Sequence, residues 1–159
     1  MRQPSRPRGA HRRRPPARRD ARRGLPAVTA FVDTSALYAL LVGTEAAHER
    51  VHRAFGRLAA TPGNLLTTSY VLVETTALLQ HRIGLAAVRD LDQHVVPLLA
   101  VRWVDEALHR RGMRRLTRAD RRRLSLVDCV SFETMERDAI GTALAVDDHF
   151  TEAGFRVLP

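Results

Sequence analysis

At 159 residues with 45% hydrophobic content, the chain is long enough for one domain with a single sizeable core. Its longest apolar runs, such as 36–42, are far too short to cross a bilayer, so we expect a soluble protein without a membrane partner. The formal net charge of +9 comes from residues 1–24, which contain ten arginines and one acid. Residues 25–159 contain 16 arginines and 16 acids, so their charges cancel.

The single cysteine, Cys129, excludes an internal disulfide and is typical of a reducing compartment, which predicts a cytoplasmic location. We interpret Cys129 as a core thiol, because no neighbouring residue indicates a nucleophile. Trp103 and Phe132 are expected to be core aromatic residues.

Residues 1–26 are rich in Arg and Pro and have no hydrophobic periodicity, which predicts a disordered tail before a folded domain at 27–159. Three alternatives stay open for this tail. It would bind RNA or DNA phosphates as a basic arm, or serve as a transit peptide, although its abundant Pro and single Ser argue against that. It would otherwise be an untranslated extension, with Val28 as the real start.

Beyond the tail, strands and helices alternate. The patterns predict strands at 28–32, 65–68, 98–104, 142–146 and 155–158. They predict helices at 35–42, 44–60, 69–83, 85–95, 105–115 and 125–137. Thr44 and Ser69 are the expected caps of their helices, Ser125 starts a helix, and Gly84 ends one. This alternation indicates an α/β fold with a parallel sheet covered on both faces.

Most acidic residues have an arginine within four positions, but a few do not. Of 17 acids, those without one are Asp33, Glu45, Glu74, Asp128, Asp147 and Asp148. Glu45 lies near the positive end of a predicted helix, which explains it. The others form four loci in apolar sequence.

These loci are expected at one edge of the sheet. Asp33 and Asp147 each end an apolar strand, and Glu74 lies one turn into the helix that leaves the second strand. Asp128 lies in the first turn of its helix, with Ser131 on the same face. Converging carboxylates raise one another's pKa, and a hard divalent cation such as Mg²⁺ relieves this. The pattern favours a metal site; the alternative is that Glu74 or Asp128 merely caps a helix.

Four segments around these acids resemble those of PIN-domain proteins, and specifically VapC-type toxins of type II toxin–antitoxin pairs. The segments are Val32-Asp33-Thr34-Ser35, Val71-Leu72-Val73-Glu74, Leu124-Ser-Leu-Val-Asp128-Cys-Val-Ser131-Phe and Ala145-Val-Asp147-Asp-His-Phe150-Thr-Glu-Ala-Gly-Phe155. Any one of them is weak, whereas all four in this order are specific. The resemblance covers about residues 28–158.

The resemblance implies a three-layer α/β/α sandwich with a short central parallel sheet, and an endoribonuclease that depends on Mg²⁺ or Mn²⁺. It assigns metal binding and catalysis to Asp33, Glu74, Asp128 and Asp147. It assigns the orientation of these carboxylates to Thr34, Ser35 and Ser131. Asp147 is preferred to Asp148 because it directly follows the predicted strand. The implied reaction is in-line attack of water on a phosphodiester.

The resemblance also implies an RNA substrate, a cognate antitoxin and a homodimer, with the apolar helices after Asp33 and Glu74 as docking faces. Eight arginines and one acid lie between Arg110 and Arg123. This segment is either a solvated face or a platform for RNA phosphates, and in the second case Arg114, Arg115 and Arg118 are the contacts.

Other readings of the chain are weaker. The segment His48-Glu-Arg-Val-His52 matches a zinc-protease motif, but it has the flanks of a surface helix and no third ligand. His149 is expected to hold the loop after the last acid, or else to contact substrate. A phosphoacceptor domain using Asp33 would need a lysine, and the chain has none. The main alternative to the nuclease is a non-catalytic PIN-fold module that binds RNA or protein.

Overall fold

The fold is built on a five-stranded parallel sheet in a computed structural model that describes residues 30–119 and 122–158. The strands are β1 (Ala30–Val32), β2 (Leu65–Thr68), β3 (Ala100–Arg102), β4 (Thr142–Leu144) and β5 (Arg156–Leu158). Their order across the sheet is β3-β2-β1-β4-β5, and every neighbouring pair is parallel. The carboxyl ends of all five strands therefore lie at one edge.

Helices connect the strands. They are α1 (Thr34–Leu41), α2 (His48–Ala59), α3 (Ser69–Arg82), α4 (Leu85–Asp90), α5 (Glu106–Ala119), α6 (Leu126–Arg137) and α7 (His149–Glu152). A π-helical turn and a 3₁₀ turn continue α4 to Leu98. The α1 helix packs on α2 and α3, and α6 packs on α5 and α7. The predicted α/β fold with its parallel sheet is confirmed. Within the described residues, no helix is both long enough and apolar enough to span a bilayer.

The core of the protein lies on both faces of the central strand, β1. All three residues of β1 are fully buried, because helices cover both faces of a parallel sheet. Phe31 lies 6.0 Å from Phe150, and Phe132 meets Phe150 edge-to-face at 5.0 Å between ring centroids. This aromatic cluster joins the sheet to α6 and α7, and it confirms Phe132 as a core residue. Cys129 is also fully buried.

Two predicted helix caps are wrong, although the third helix does begin at Ser69. The second helix begins at His48 rather than after Thr44, and its N-cap residue makes no side-chain hydrogen bond. The third helix is capped by Thr68, whose side chain accepts a hydrogen bond from the Val71 N–H. Ser69 instead accepts one from the backbone of Val104. Adjacent hydroxyl residues are interchangeable in a capping pattern, so tertiary contacts decide between them.

Several boundaries also differ from those predicted. The fourth strand ends at Leu144, so Asp147 does not directly follow it. The helix predicted to end at Arg115 continues to Ala119, and the four-residue α7 was not predicted because it is too short to show periodicity. Trp103 was wrongly expected in the core: it follows the edge strand β3 and is 76% exposed. The predicted tail 1–26 and the start of the predicted first strand lie outside the described residues.

Candidate active site

The first acid of the site, Asp33, lies between the end of β1 and the start of α1. It is the N-cap of α1, and its Oδ2 accepts hydrogen bonds from the Ser35 N–H at 2.9 Å and the Ser35 hydroxyl at 2.7 Å. Only 3% of Asp33 is exposed. A strand end and a helix cap therefore hold one carboxylate in a single orientation.

Burial makes this carboxylate unusually basic. The pKa of Asp33 is raised from 3.8 to about 7 by its surroundings. Desolvation by burial is the largest cause and the negative charge of Asp147 adds to it, while hydrogen bonds from Ser35 and from the Thr34 backbone oppose the rise. No cation of the described chain contributes to this balance. A buried carboxylate without a positive partner is unfavourable, so the site fits a group that brings positive charge.

Glu74 is connected to the same segment through Thr34. The hydroxyl of Thr34 donates a 2.6 Å hydrogen bond to Glu74 Oε2. Glu74 lies on α3, which follows the neighbouring strand β2, so parallel pairing of β1 and β2 places the two acidic segments side by side. The Thr34 hydroxyl group therefore connects Glu74 to the segment that carries Asp33.

Asp128 is held at the start of α6 by a capping box. Its Oδ2 accepts the Ser125 N–H at 2.8 Å, and its own N–H donates to the Ser125 hydroxyl at 3.0 Å. The predicted start of this helix at Ser125 is therefore right. The alternative that Asp128 caps its own helix is also realised, and it does not exclude a second role. His149 Nδ1 lies 3.2 Å from the same Oδ2 atom.

Asp147 joins the site through the loop after β4. The Val146 N–H donates to the Ser35 hydroxyl at 2.9 Å, and this contact ties the loop to the segment of Asp33. Asp147 Oδ1 accepts the His149 N–H at 3.2 Å, and His149 Nδ1 lies 3.9 Å away from it. Asp148 is exposed, as expected for the residue that faces away.

The side chain of His149 makes a contact with Asp128 that the sequence did not predict. Its ring lies between Asp128 and Asp147, so it links two of the four acidic loci. The signal in the sequence was its place two residues after Asp147, in the same apolar setting as the acids. A histidine there was expected to hold the loop, and it does so through its backbone.

Other predicted residues have less connection to the site. Ser131 is fully buried, and its hydroxyl makes no hydrogen bond with the described residues, so its orienting role stays a prediction. Arg115 binds Glu133 and Glu136 and lies over the Phe132 ring. Arg114 and Arg118 are exposed on α5. Their contact with RNA stays a prediction as well.

The described residues contain no group of three His, Cys, Asp or Glu side chains close enough to form a preformed metal cage. This includes the protease-like motif, where His48 Nδ1 is 2.8 Å from the Ala39 carbonyl and its ring lies 5.9 Å from that of His52, tilted by 37°. The four acids are instead related in pairs, through Thr34, Ser35 and His149. The donor set around Asp33 is rich in oxygen.

Ser35 is expected to be the residue that holds the two halves of the site together. Replacing it with alanine removes a donor to the buried Asp33 and leaves the Val146 N–H without its acceptor. We expect the S35A variant to lose about 1–3 kcal/mol of unfolding free energy, measured by urea denaturation. Thr117→Ala is the matched control, because that hydroxyl bonds only to its own helix at the surface. Equal losses for both variants would contradict the role of Ser35.

Comparison with known proteins agrees with this architecture. The family model described as the PIN domain matches residues 30–156, which is most of the chain. The chain belongs to the PIN-domain family. It is 36% identical over 126 residues to the 23S rRNA-specific endonuclease VapC20 of Mycobacterium tuberculosis, and the match covers 79% of this chain and 94% of VapC20.

Solved structures show the same fold. The crystal structure of M. tuberculosis VapC20, described as a toxin that cleaves the sarcin–ricin loop, has a TM-score of 0.72 and 35% identity; the match covers 82% of this chain and all of that one. FitAcB from Neisseria gonorrhoeae has a TM-score of 0.61 at 16% identity, with 82% and 97% of the two chains covered. The second likeness supports the fold alone. The predicted relation to VapC-type proteins is confirmed.

Proposed function

We propose that this protein is an endoribonuclease of the VapC toxin class, which hydrolyses RNA phosphodiester bonds with a divalent metal ion. The observation that carries the proposal is the 36% identity to a 23S rRNA-specific endonuclease over nearly all of that protein's length. The acidic edge of the sheet is where this chain provides the chemistry. We place the nuclease domain at residues 27–159, with residues 1–26 as a separate tail.

The metal fits the donor set. Carboxylate and hydroxyl oxygens are the ligands that Mg²⁺ prefers, and Mn²⁺ accepts the same ligands. Proteins commonly bind Mg²⁺ through one or two carboxylates, water and substrate phosphate, so a cage of three protein ligands is not required. Burial and the nearby charge of Asp147 both disfavour the ionised form of Asp33, and a bound cation would offset this cost. The residues proposed to hold it are Asp33, Glu74, Asp128 and Asp147.

When bound, the ion supplies a Lewis acid for the phosphoryl group and positive charge for the transition state. The protein contributes orientation. Ser35 holds Asp33, Thr34 holds Glu74, and Ser125 holds Asp128, so three carboxylates have restricted rotamers before substrate arrives. His149 contacts Asp128 and the Asp147 loop, and it keeps these two acids on the same side of the site.

The proposal is tested with a short RNA hairpin that carries the sarcin–ricin loop, because VapC20 is described as cleaving that loop. The control hairpin has the same stem and a scrambled loop. We expect one internal cut in the first hairpin, present with Mg²⁺ and absent with a chelator. Binding of the hairpin without any cut, in Mg²⁺ or Mn²⁺, would instead support a non-catalytic binding module.

A toxin of this class requires an inhibitor in the cell that makes it, so we infer a cognate antitoxin. We also infer that the protein acts on RNA in the cytoplasm. The apolar helices α1 and α3, which follow Asp33 and Glu74, are the faces proposed for docking of protein partners. Both begin at the acidic edge of the sheet, so a partner bound there would lie close to the site.

We further propose that one exposed face of α3 is covered by a second copy of the chain. Val73 and Trp103 are 68% and 76% exposed, and with Leu72 and Thr76 they line a hollow of about 380 Å³. Exposed apolar patches of this kind mark interaction surfaces, and two-fold dimers are the commonest soluble oligomers. The proposed dimer is isologous, with the same patch on both copies.

Trp103 reports on this interface directly, because it is the only tryptophan in the chain. We expect its fluorescence emission to shift to longer wavelength on dilution, because the dimer dissociates and the indole ring becomes exposed to solvent. The W103E variant is expected to run as a monomer in light scattering, since a charge at a buried contact costs several kcal/mol. Emission that does not change over a thousandfold dilution, together with a monomeric wild type, would contradict the dimer.

A further inference from the structure

A pocket beside the acidic site is not accounted for by the roles assigned so far. It has a volume of about 400 Å³ and lies between the end of α5, the start of α6 and α7. One wall is apolar and consists of Ala119, Leu124, Phe132 and Ala153. Cavities of this size, with apolar walls and a few polar groups, are typical of sites for small organic groups.

The pocket is continuous with the proposed active site through one side chain. His149 belongs to the lining, and its Nδ1 is 3.2 Å from Asp128 Oδ2. A group bound in the pocket therefore lies one residue away from the acids. Arg114 and Arg118, by contrast, line a second hollow, which shares only Arg115 and Ala119 with this pocket.

The charges of the lining favour an anion. Arg115, Arg122 and Arg123 line the pocket, against one carboxylate, Glu152. Arg115 is already neutralised by Glu133 and Glu136. Arg122 and Arg123 are exposed and form no ion pair with the described part of the chain, so their guanidinium groups are available for a phosphate.

We propose that this pocket binds one unpaired nucleotide of the RNA substrate next to the scissile phosphate. The base lies against Leu124 and the guanidinium plane of Arg115, which covers the Phe132 ring, and the phosphate lies on Arg122 and Arg123. Ribonucleases that recognise loops read unstacked bases in this way, by apolar contact and arginine. The inference rests on the proposed ribonuclease function and names the part of the protein that selects the flanking nucleotide. The proposed RNA-phosphate contacts are therefore Arg122 and Arg123, which precede α6, in place of Arg114 and Arg118.

The test compares two double variants that remove the same charge. R122Q/R123Q changes the pocket, whereas R53Q/R57Q neutralises two exposed arginines of α2 as the control. The probe is the sarcin–ricin hairpin, intact or with a single abasic nucleotide at each of three positions on either side of the cut. Cleavage is measured as kcat/KM in Mg²⁺, and binding is measured by fluorescence anisotropy in a D33N background.

We expect one abasic position to lower kcat/KM of the wild type about tenfold, as the loss of one stacked base does elsewhere. In R122Q/R123Q, kcat/KM falls by a similar factor and the abasic penalty shrinks below about twofold. The slope of log affinity against log salt concentration becomes shallower by about 0.7, the value for one phosphate of a single strand. The α2 control behaves as the wild type.

The outcomes separate this inference from the function on which it rests. Suppose that the wild type cleaves the hairpin but R122Q/R123Q does not differ from R53Q/R57Q in kcat/KM or affinity. That result would overturn the nucleotide-binding role of the pocket and would support the nuclease function. An abasic penalty that persists unchanged in R122Q/R123Q would also overturn it. A wild type that cuts neither hairpin in Mg²⁺ or Mn²⁺ would overturn the proposed function itself.

Discussion

The Asp33→Asn variant is expected to lose RNA cleavage by roughly 10²–10³-fold while unfolding at a higher temperature than the wild type at pH 8. Asp33 is one of the proposed metal ligands, so its loss weakens the electrostatic stabilisation of the transition state, and losses of that kind are typically of this size. The gain in stability follows from burial, because Asp33 is 3% exposed and its pKa is raised to about 7. The neutral amide avoids the desolvation of a carboxylate.

The sign of the pH dependence follows from the same shift. The folded protein holds the Asp33 proton more tightly than the unfolded chain, whose pKa is near 3.8, so the wild type loses stability as the pH rises from about 4 to about 7. The full cost of about 4 kcal/mol is present above pH 7. Asn recovers part of it, because one amide N–H is left without a partner at a cost of about 1–3 kcal/mol.

Thermal melts from pH 4 to pH 9, in a chelator, measure this effect. We expect the difference between D33N and wild type to grow in favour of D33N up to about pH 7 and then to level off. The matched control is Asp148→Asn, which neutralises an exposed acid of the same loop region and should change neither cleavage nor the pH profile. A D33N variant that is less stable than the wild type at every pH would contradict the burial cost.

The second large effect is expected at Gly112, where α5 packs against α6. A Cβ atom at this position would lie 2.5 Å from Val130 Cγ2 and 3.3 Å from the Val130 backbone nitrogen. Alanine normally stabilises a helix interior by about 1 kcal/mol relative to glycine. Here overpacking opposes it with about 1–3 kcal/mol, since a β-branched valine in a helix has one preferred rotamer and cannot move aside. We expect G112A to lower the unfolding free energy.

Urea denaturation of G112A, with G56A beside it, measures this balance. Gly56 is an exposed position of α2 with nothing within 4 Å of a Cβ atom, so G56A should gain about 0.5–1 kcal/mol. In the double variant G112A/V130A the clash is removed, so the two losses should be less than additive by about 1 kcal/mol. Equal gains in G112A and G56A would show that the two helices have room to separate.

The apolar strands were the part of the chain that local pattern predicted well. Ala30–Val32 is apolar because both of its faces are covered, and such a run is visible in sequence. Asp33 and Glu74 stand out in the sequence because acids at the surface usually have an arginine nearby, whereas these two have none within four positions. The capping box at Ser125 was also recognisable, because it depends on residues three positions apart.

What the sequence did not predict depends on contacts between distant segments. His149 reaches Asp128 across 21 positions, and Ser35 joins the Val146 backbone across 111. The choice of Thr68 over Ser69 as a cap depends on Val104, which takes the second hydroxyl. Trp103 was expected inside because tryptophan is usually buried, but it follows an edge strand. None of these contacts has a local signature.

The proposed activity requires Asp33, Glu74, Asp128 and Asp147 to form one metal-dependent site for RNA cleavage. Its most direct test is single-turnover cleavage of the sarcin–ricin hairpin by the wild type as Mg²⁺ is titrated from a chelated start. We expect no cleavage in chelator, and with Mg²⁺ we expect cleavage at one internal bond at a rate that rises and then saturates. Cleavage that is equally fast in chelator, from protein free of contaminating nuclease, would contradict it.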